Sequence, residues 1–336
     1  MLINLHQKLK SQTIKVHADV TTTKMSILLN YLRQLRPLLE EGVTTCLNSR
    51  DHLVKRIARR PDFLLPFRQK APMINKAMQT IYSSSDRLRT SEGFWNILAY
   101  RGVFYGSMYA ANDVQWFNSL EDWKSYFQLS TKRKEESLKG KKENTTKKMG
   151  DKEAYYVNIC AYGYNNIKRT IDNIPTYWAE RDRWTVFLET KPGIEEVYRF
   201  LLKTHARKDG VKKVYPNIGP LTALLICGDL IEAGVLQMPN VDIWARLIFQ
   251  VNKGAIAGLQ QLALLDNTCT EPDVVQVFQA LHDFIMRNLS EEEQLMMGYN
   301  MIMLEHALCK FSRITKKIGK KEKETGKKRK SNRMTI

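Results

Sequence analysis

Apolar residues in this chain recur mainly at spacings of three and four. In Ser26–Leu39, Ile27, Leu28, Tyr31, Leu32, Leu35, Leu38 and Leu39 share one face, the period of an amphipathic helix, with Pro37 placed to bend its end. Phe94–Phe117 is dense in aromatics and predicts a core helix broken near Gly106. Glu153–Trp178 and Glu180–Leu188 read as a further helical block, closed by the turn signal Lys191-Pro192-Gly193. Ile194–Leu202 then places Ile194, Val197, Tyr198, Leu201 and Leu202 on one face. No apolar/polar alternation is long enough to predict a sheet, and no repeat recurs at 20–50 residues. The expectation is an all-α fold of many helices.

Charge changes this picture at two places. The 336 residues carry a net +18, and half of it lies in Arg313–Ile336, where eleven Lys/Arg face two Glu. That segment lacks apolar periodicity after Ile318 and is expected to be a disordered polybasic tail suited to phosphate polyanions. Its Lys327–Lys330 run, KKRK, also resembles a nuclear-import signal. Residues 131–153, with nine basic and five acidic residues and no aromatic, predict a basic flexible insert. The expected organisation is an N-terminal helical region over 1–90, a helical domain over 91–312 and the tail over 313–336.

Several classes are excluded by composition. The longest apolar stretch, Leu221–Cys227, is far short of the roughly 20 residues needed to cross a bilayer, and the N-terminus does not read as a secretory signal. Five scattered cysteines without a CxxC pair argue against a disulfide framework and a zinc ribbon. The expected location is the nucleus in a eukaryote and the cytoplasm otherwise.

The most specific signal is VYPNIGPLTALLICGDLIEAGVLQMPNVDIWARLI, Val214–Ile248. Pro216 and Gly219 bracket a tight turn, Pro220 occupies a first helical position, and Gly234 can end that helix in the left-handed conformation. Helix, hairpin and helix over 194–234 would offer backbone N–H groups around Gly219 to a phosphate, with Lys212 and Lys213 adding charge and Asn217 and Thr222 flanking the contact.

PNIGPLTALLI resembles the LPGVGxxTA signature of helix-hairpin-helix DNA glycosylases, and VDIWARLI resembles their VDTHVxRL segment. The resemblance implies a DNA-glycosylase-like fold and maps Asp242 onto the catalytic aspartate. Asn217 stands for a glycine, Trp244 for a histidine, and Leu221 for the Schiff-base lysine of bifunctional members, so strand cleavage is not expected. No four-cysteine run follows, which excludes an iron–sulfur cluster and leaves a monovalent cation at the hairpin as the one inorganic partner considered.

NILAYRGVFYGSMYAANDVQWF, the hairpin, the aspartate segment and LEHALCKF (Leu304–Phe311) together resemble the alpha-glutamyl/putrescinyl thymine pyrophosphorylase family, to which the helical domain of 5-hydroxymethyluracil DNA kinases is similar. The resemblance spans roughly residues 90–312. It implies a DNA base-modifying transferase, pyrophosphorylase or monofunctional glycosylase-like enzyme acting on modified thymine.

Each candidate has a structural alternative. Asp242 could be a helix N-cap; Trp244 could be core or a base-stacking surface. Arg101, within an aromatic helix, must find an anion or water. Glu305 and His306 read as structural or substrate-facing, since His306 and Cys309 alone do not make a zinc site. Arg101, Trp244, Glu305 and His306 are the expected substrate pocket. DNA is the expected partner, with RNA bound through the tail, or a binding module without chemistry, as the alternatives.

Overall fold

The computed structural model describes residues 21–138, 154–207 and 210–331. The protein is predominantly helical, and its described residues divide into two compact units. One comprises Met1–Ala71 with Asn240–Ile336, the other Pro72–Pro239. This discontinuous division differs from the sequential 1–90, 91–312 and 313–336 segmentation expected from the sequence. The reason is long-range packing: helix Met301–Ser331 lies against helices Gly254–Gln261 and Pro61–Leu64, bringing segments distant in sequence into one unit.

In the first unit, residues 21–34 form a helix whose Leu28 and Leu32 are fully buried, followed by Leu35 in the turn. Pro37 opens the separate short helix Pro37–Glu40, as its missing donor dictates. Helix Val241–Val251 packs on Glu271–Asn288. Gly254 and Gly258 line one face of helix Gly254–Gln261, and a Cβ on Gly258 would fall 2.5 Å from the Leu308 carbonyl oxygen. That glycine face admits the backbone of helix Met301–Ser331.

Helix Met301–Ser331 corrects the expectation of a disordered tail from Arg313, because its backbone stays helical to Ser331. Lys, Arg and Glu are good helix formers, and a helix already nucleated in the core extends without further apolar anchoring. The expected flexible insert is likewise helical at its start: helix Leu120–Leu138 runs into it, and 139–153 lie outside the described residues.

The second unit is built on aromatics. Phe94 stacks on Trp184 at 4.6 Å between ring centroids, Trp95 meets Trp178 edge-on at 4.9 Å, and Phe187 stacks on Phe200 at 4.2 Å. The expected break in the 94–117 helix is present. Helix Ser91–Ala99 continues into a π turn at Tyr100–Phe104, Gly106 adopts φ +84°, and Met108–Asn112 resumes the helix. The expected helix over 153–178 is overturned in its first part: residues 154–172 form successive turns, and the helix spans only Asn173–Ala179. Asn158, Gly163, Asn165 and Asn166 explain this, since their side chains and backbone favour turns over a helix interior.

The all-α expectation holds apart from one antiparallel hairpin among the described residues, Thr204–Arg207 with Gly210–Lys213, which pairs Thr204 with Lys213. No helix among the described residues is long and apolar enough to cross a membrane.

Candidate nucleic-acid interface

The hairpin leads into the segment singled out by its prolines and glycine. Val214 N–H donates to the Lys203 carbonyl at 3.0 Å, extending the ladder, and the chain then turns. Ile218 N–H donates to the Tyr215 carbonyl at 3.2 Å, with Pro216 and Asn217 between them. Asn217 has φ +64°, the left-handed value a type II turn requires at its third position. Asparagine meets this backbone demand because its short polar side chain tolerates that region.

Gly219 is the N-cap and Pro220 the first residue of helix Pro220–Glu232, leaving the helix's leading N–H groups at the turn. Gly219 itself has φ −108°, and an added Cβ would meet nothing closer than Lys213 Nζ at 3.8 Å. It is therefore an open position. The far end closes as expected: Gly234, at φ +74°, donates to the Ile231 carbonyl at 3.0 Å while Val235 N–H donates to that of Leu230 at 2.8 Å, a Schellman cap. The two helices of the expected motif, Ile194–Leu201 and Pro220–Glu232, pack on one another.

Not every flanking residue faces outward. Lys213 Nζ donates to the Ile218 carbonyl at 2.6 Å, and partial burial and the charge of Lys168 push its ammonium below the usual lysine range. The Asn217 amide donates to the Gly102 carbonyl at 2.6 Å and accepts from Asn166, tying the turn to the π turn and the 158–168 loop. Thr222 is buried, with its hydroxyl beside that of Tyr164, so its side chain serves the packing behind the turn rather than a ligand. The Lys212 backbone lies in the second strand, and its side chain falls outside the described residues.

Arg101, expected to need a phosphate or a wet surface, has an internal anion. Its guanidinium grips Asp229 with Nε to Oδ2 at 2.5 Å and Nη2 to Oδ1 at 2.6 Å, both residues buried. Burial opposes the charge on Arg101, and Asp229 overcomes it, holding the guanidinium well above its ordinary value. Tyr82 adds a third bond, its hydroxyl donating to Asp229 Oδ2 at 2.7 Å. Asp229 was not anticipated. The available signal was a lone carboxylate inside LLICGDLI, matching a lone cation inside an aromatic helix.

The remaining candidates belong to the other unit. Asp242 lies in the first turn of helix Val241–Val251, whose N-cap is Asn240, so the cap reading of Asp242 is corrected. Its side chain is 46% exposed and pairs with Arg246 Nη2 at 3.2 Å. Trp244 is buried, and its Nε1 has no hydrogen-bond partner among the described residues. Glu305 and His306 are buried on helix Met301–Ser331. Burial pushes the Glu305 carboxyl up, against the pull of Arg68, Lys310 and Arg313. Lys310 Nζ donates to the Asp62 carbonyl at 2.9 Å, and burial, helped by Arg313, lowers its ammonium to about 7.

Of the expected pocket, Arg101 is buried in the second unit, and Trp244, Glu305 and His306 are buried in the first. Among the described residues, no three His, Cys, Asp or Glu side chains converge to hold a metal ion. No protein-family model, curated protein or solved structure matches the chain.

Proposed function

We propose that this protein binds DNA through the turn Tyr215–Gly219, in the manner of a helix-hairpin-helix module. The observation that carries this reading is the cap geometry at Gly219–Pro220, where a helix N-terminus opens beside Lys213 with no side chain at Gly219 in the way. Phosphate oxygens are suited to such a site, because orphan N–H groups and the helix dipole both favour negative charge. The net +18 of the chain favours the same class of partner.

The finer reading rests on the resemblance to thymine pyrophosphorylases: chemistry on 5-hydroxymethyluracil-derived bases without strand cleavage. In that reaction class the C–O bond to a pyrophosphate on the thymine 5-methylene breaks, a C–N bond to an amine forms, and the amine releases a proton. Asp242, solvent-accessible in a first helical turn, is the carboxylate assigned to it. A second reading, a module that binds without chemistry, is favoured by the burial of Arg101, Trp244, Glu305 and His306. The deciding assay supplies an amine and DNA bearing 5-hydroxymethyluracil or its pyrophosphorylated form, then follows base composition and strand integrity. A new base in uncut DNA supports the enzyme. Salt-sensitive binding with unchanged bases supports the module, and absence of binding overturns both.

A further inference from the structure

Beside the turn, three tyrosine rings run in a series from the interior to the surface of the second unit. Tyr105, buried, stacks on Tyr162 with ring centroids 5.1 Å apart and planes 15° apart. Tyr162 is followed by Tyr164 at 6.5 Å and 22°. Tyr164 is the outermost and is 39% exposed.

The series is held firmly at its base. The Arg169 guanidinium lies 5.1 Å from the Tyr162 ring, and the Tyr162 hydroxyl donates to the Arg101 carbonyl at 2.9 Å. Hydrogen bonding with Asn166 and Thr222 engages the Tyr164 hydroxyl, fixing the outer ring against the first turn of helix Pro220–Glu232. Exposed aromatics usually rotate freely; this one is pre-oriented. Two cations flank this ring: Lys168, four residues on in the same loop, and Lys213, whose Nζ lies 3.8 Å from the Cβ position of Gly219, the N-cap of the helix whose Thr222 meets Tyr164. A flat aromatic surface beside paired cations matches a ligand that is itself a flat ring joined to a phosphate.

We infer that Tyr164 is a stacking platform for an unpaired nucleobase, with Lys168 and Lys213 holding the adjoining phosphates, so that the preferred ligand of this surface is single-stranded DNA. The inference rests on the nucleic-acid reading above and specifies the form in which the DNA is bound. Duplex bases present no free face to a side chain, whereas every unpaired base does.

The test compares the full chain's affinity for a fluorescent twelve-residue thymidine strand and for a strand of equal length built from abasic sites, which keeps the phosphates and removes the rings. The wild type should favour the thymidine strand by about tenfold or more, the order expected for one stacked base. Tyr164→Ala should abolish that margin while leaving abasic-strand affinity unchanged, and Tyr164→Phe, which keeps the ring, should preserve it. A Lys168→Gln, Lys213→Gln double variant should weaken both strands alike. Equal wild-type affinity for the two strands, or an undiminished margin in Tyr164→Ala, would overturn the platform and leave phosphate binding standing. Failure to bind either strand would overturn the nucleic-acid reading with it. Circular dichroism of each variant keeps loss of folding separate from loss of binding.

Discussion

Arg101 and Asp229 meet through both arms of the guanidinium and both carboxylate oxygens, 2.5 and 2.6 Å apart, where neither side chain reaches solvent. Taking one partner away leaves the other charge buried and uncompensated, which costs about 3–5 kcal/mol. Asp229→Asn and Arg101→Met should each lower the urea midpoint of unfolding sharply, and the double variant should be less unstable than their sum. Additive losses would show that the two residues act independently.

Two glycines, one inside a helix and one at a helix N-cap, should respond in opposite ways. Gly258→Ala places a methyl 2.5 Å from the Leu308 carbonyl oxygen and 2.8 Å from its carbon, forcing two helices apart. A loss of about 1–3 kcal/mol is expected from such overpacking. Gly219→Ala meets open space and should unfold like the wild type, while weakening DNA affinity because the methyl obstructs close approach of a phosphate. Thermal melts and a binding titration on both variants check the contrast.

Lys310 supplies a pH dependence whose sign is fixed by its burial. Its folded value of about 7 lies below its ordinary 10.5, so between these limits the unfolded chain holds the proton and the folded chain does not. Stability therefore rises with pH across that interval. Lys310→Met should flatten the rise in melting temperature between roughly pH 7 and 10. Parallel curves for variant and wild type would contradict a buried, weakened ammonium.

Asp242→Asn tests the chemistry. The N-cap of its helix is Asn240, and the amide keeps the size of the side chain while losing the charge that attracts Arg246. An exposed pair of this kind contributes about 0.3–0.5 kcal/mol, so folding should be almost unaffected. Turnover of modified-thymine DNA should be abolished, and full activity of the variant would remove Asp242 from the mechanism.

Much of this architecture was legible in the chain. The three-and-four spacing located the helices, Pro37 and Gly106 their breaks, and Pro220 and Gly234 the two ends of one helix. The β-hairpin was missed because four-residue strands carry too little alternation. The internal partner of Arg101 was missed for another reason. Spacing along a helix shows which residues share a face, but not which charge elsewhere in the chain already neutralises them. Asp229 is 128 residues from Arg101 in sequence, and only the folded unit reveals the pair.

The π turn at Tyr100–Phe104 is bridged by Tyr105 N–H donating to the Tyr100 carbonyl at 2.7 Å, five residues back instead of four. The segment thus holds one residue more than a regular helix would. Each α-helical residue advances the chain by about 100°, the angle that follows from 3.6 residues per turn. Excising Val103 would restore a regular helix and swing Tyr105 by that angle away from Tyr162, removing the Val103 carbonyl that Arg169 holds at 2.9 Å and displacing the Tyr105 carbonyl it holds at 2.7 Å. The surplus residue acts as an angular spacer, aiming an interior ring at a surface loop; without it, the same side chains would be present and would point past one another.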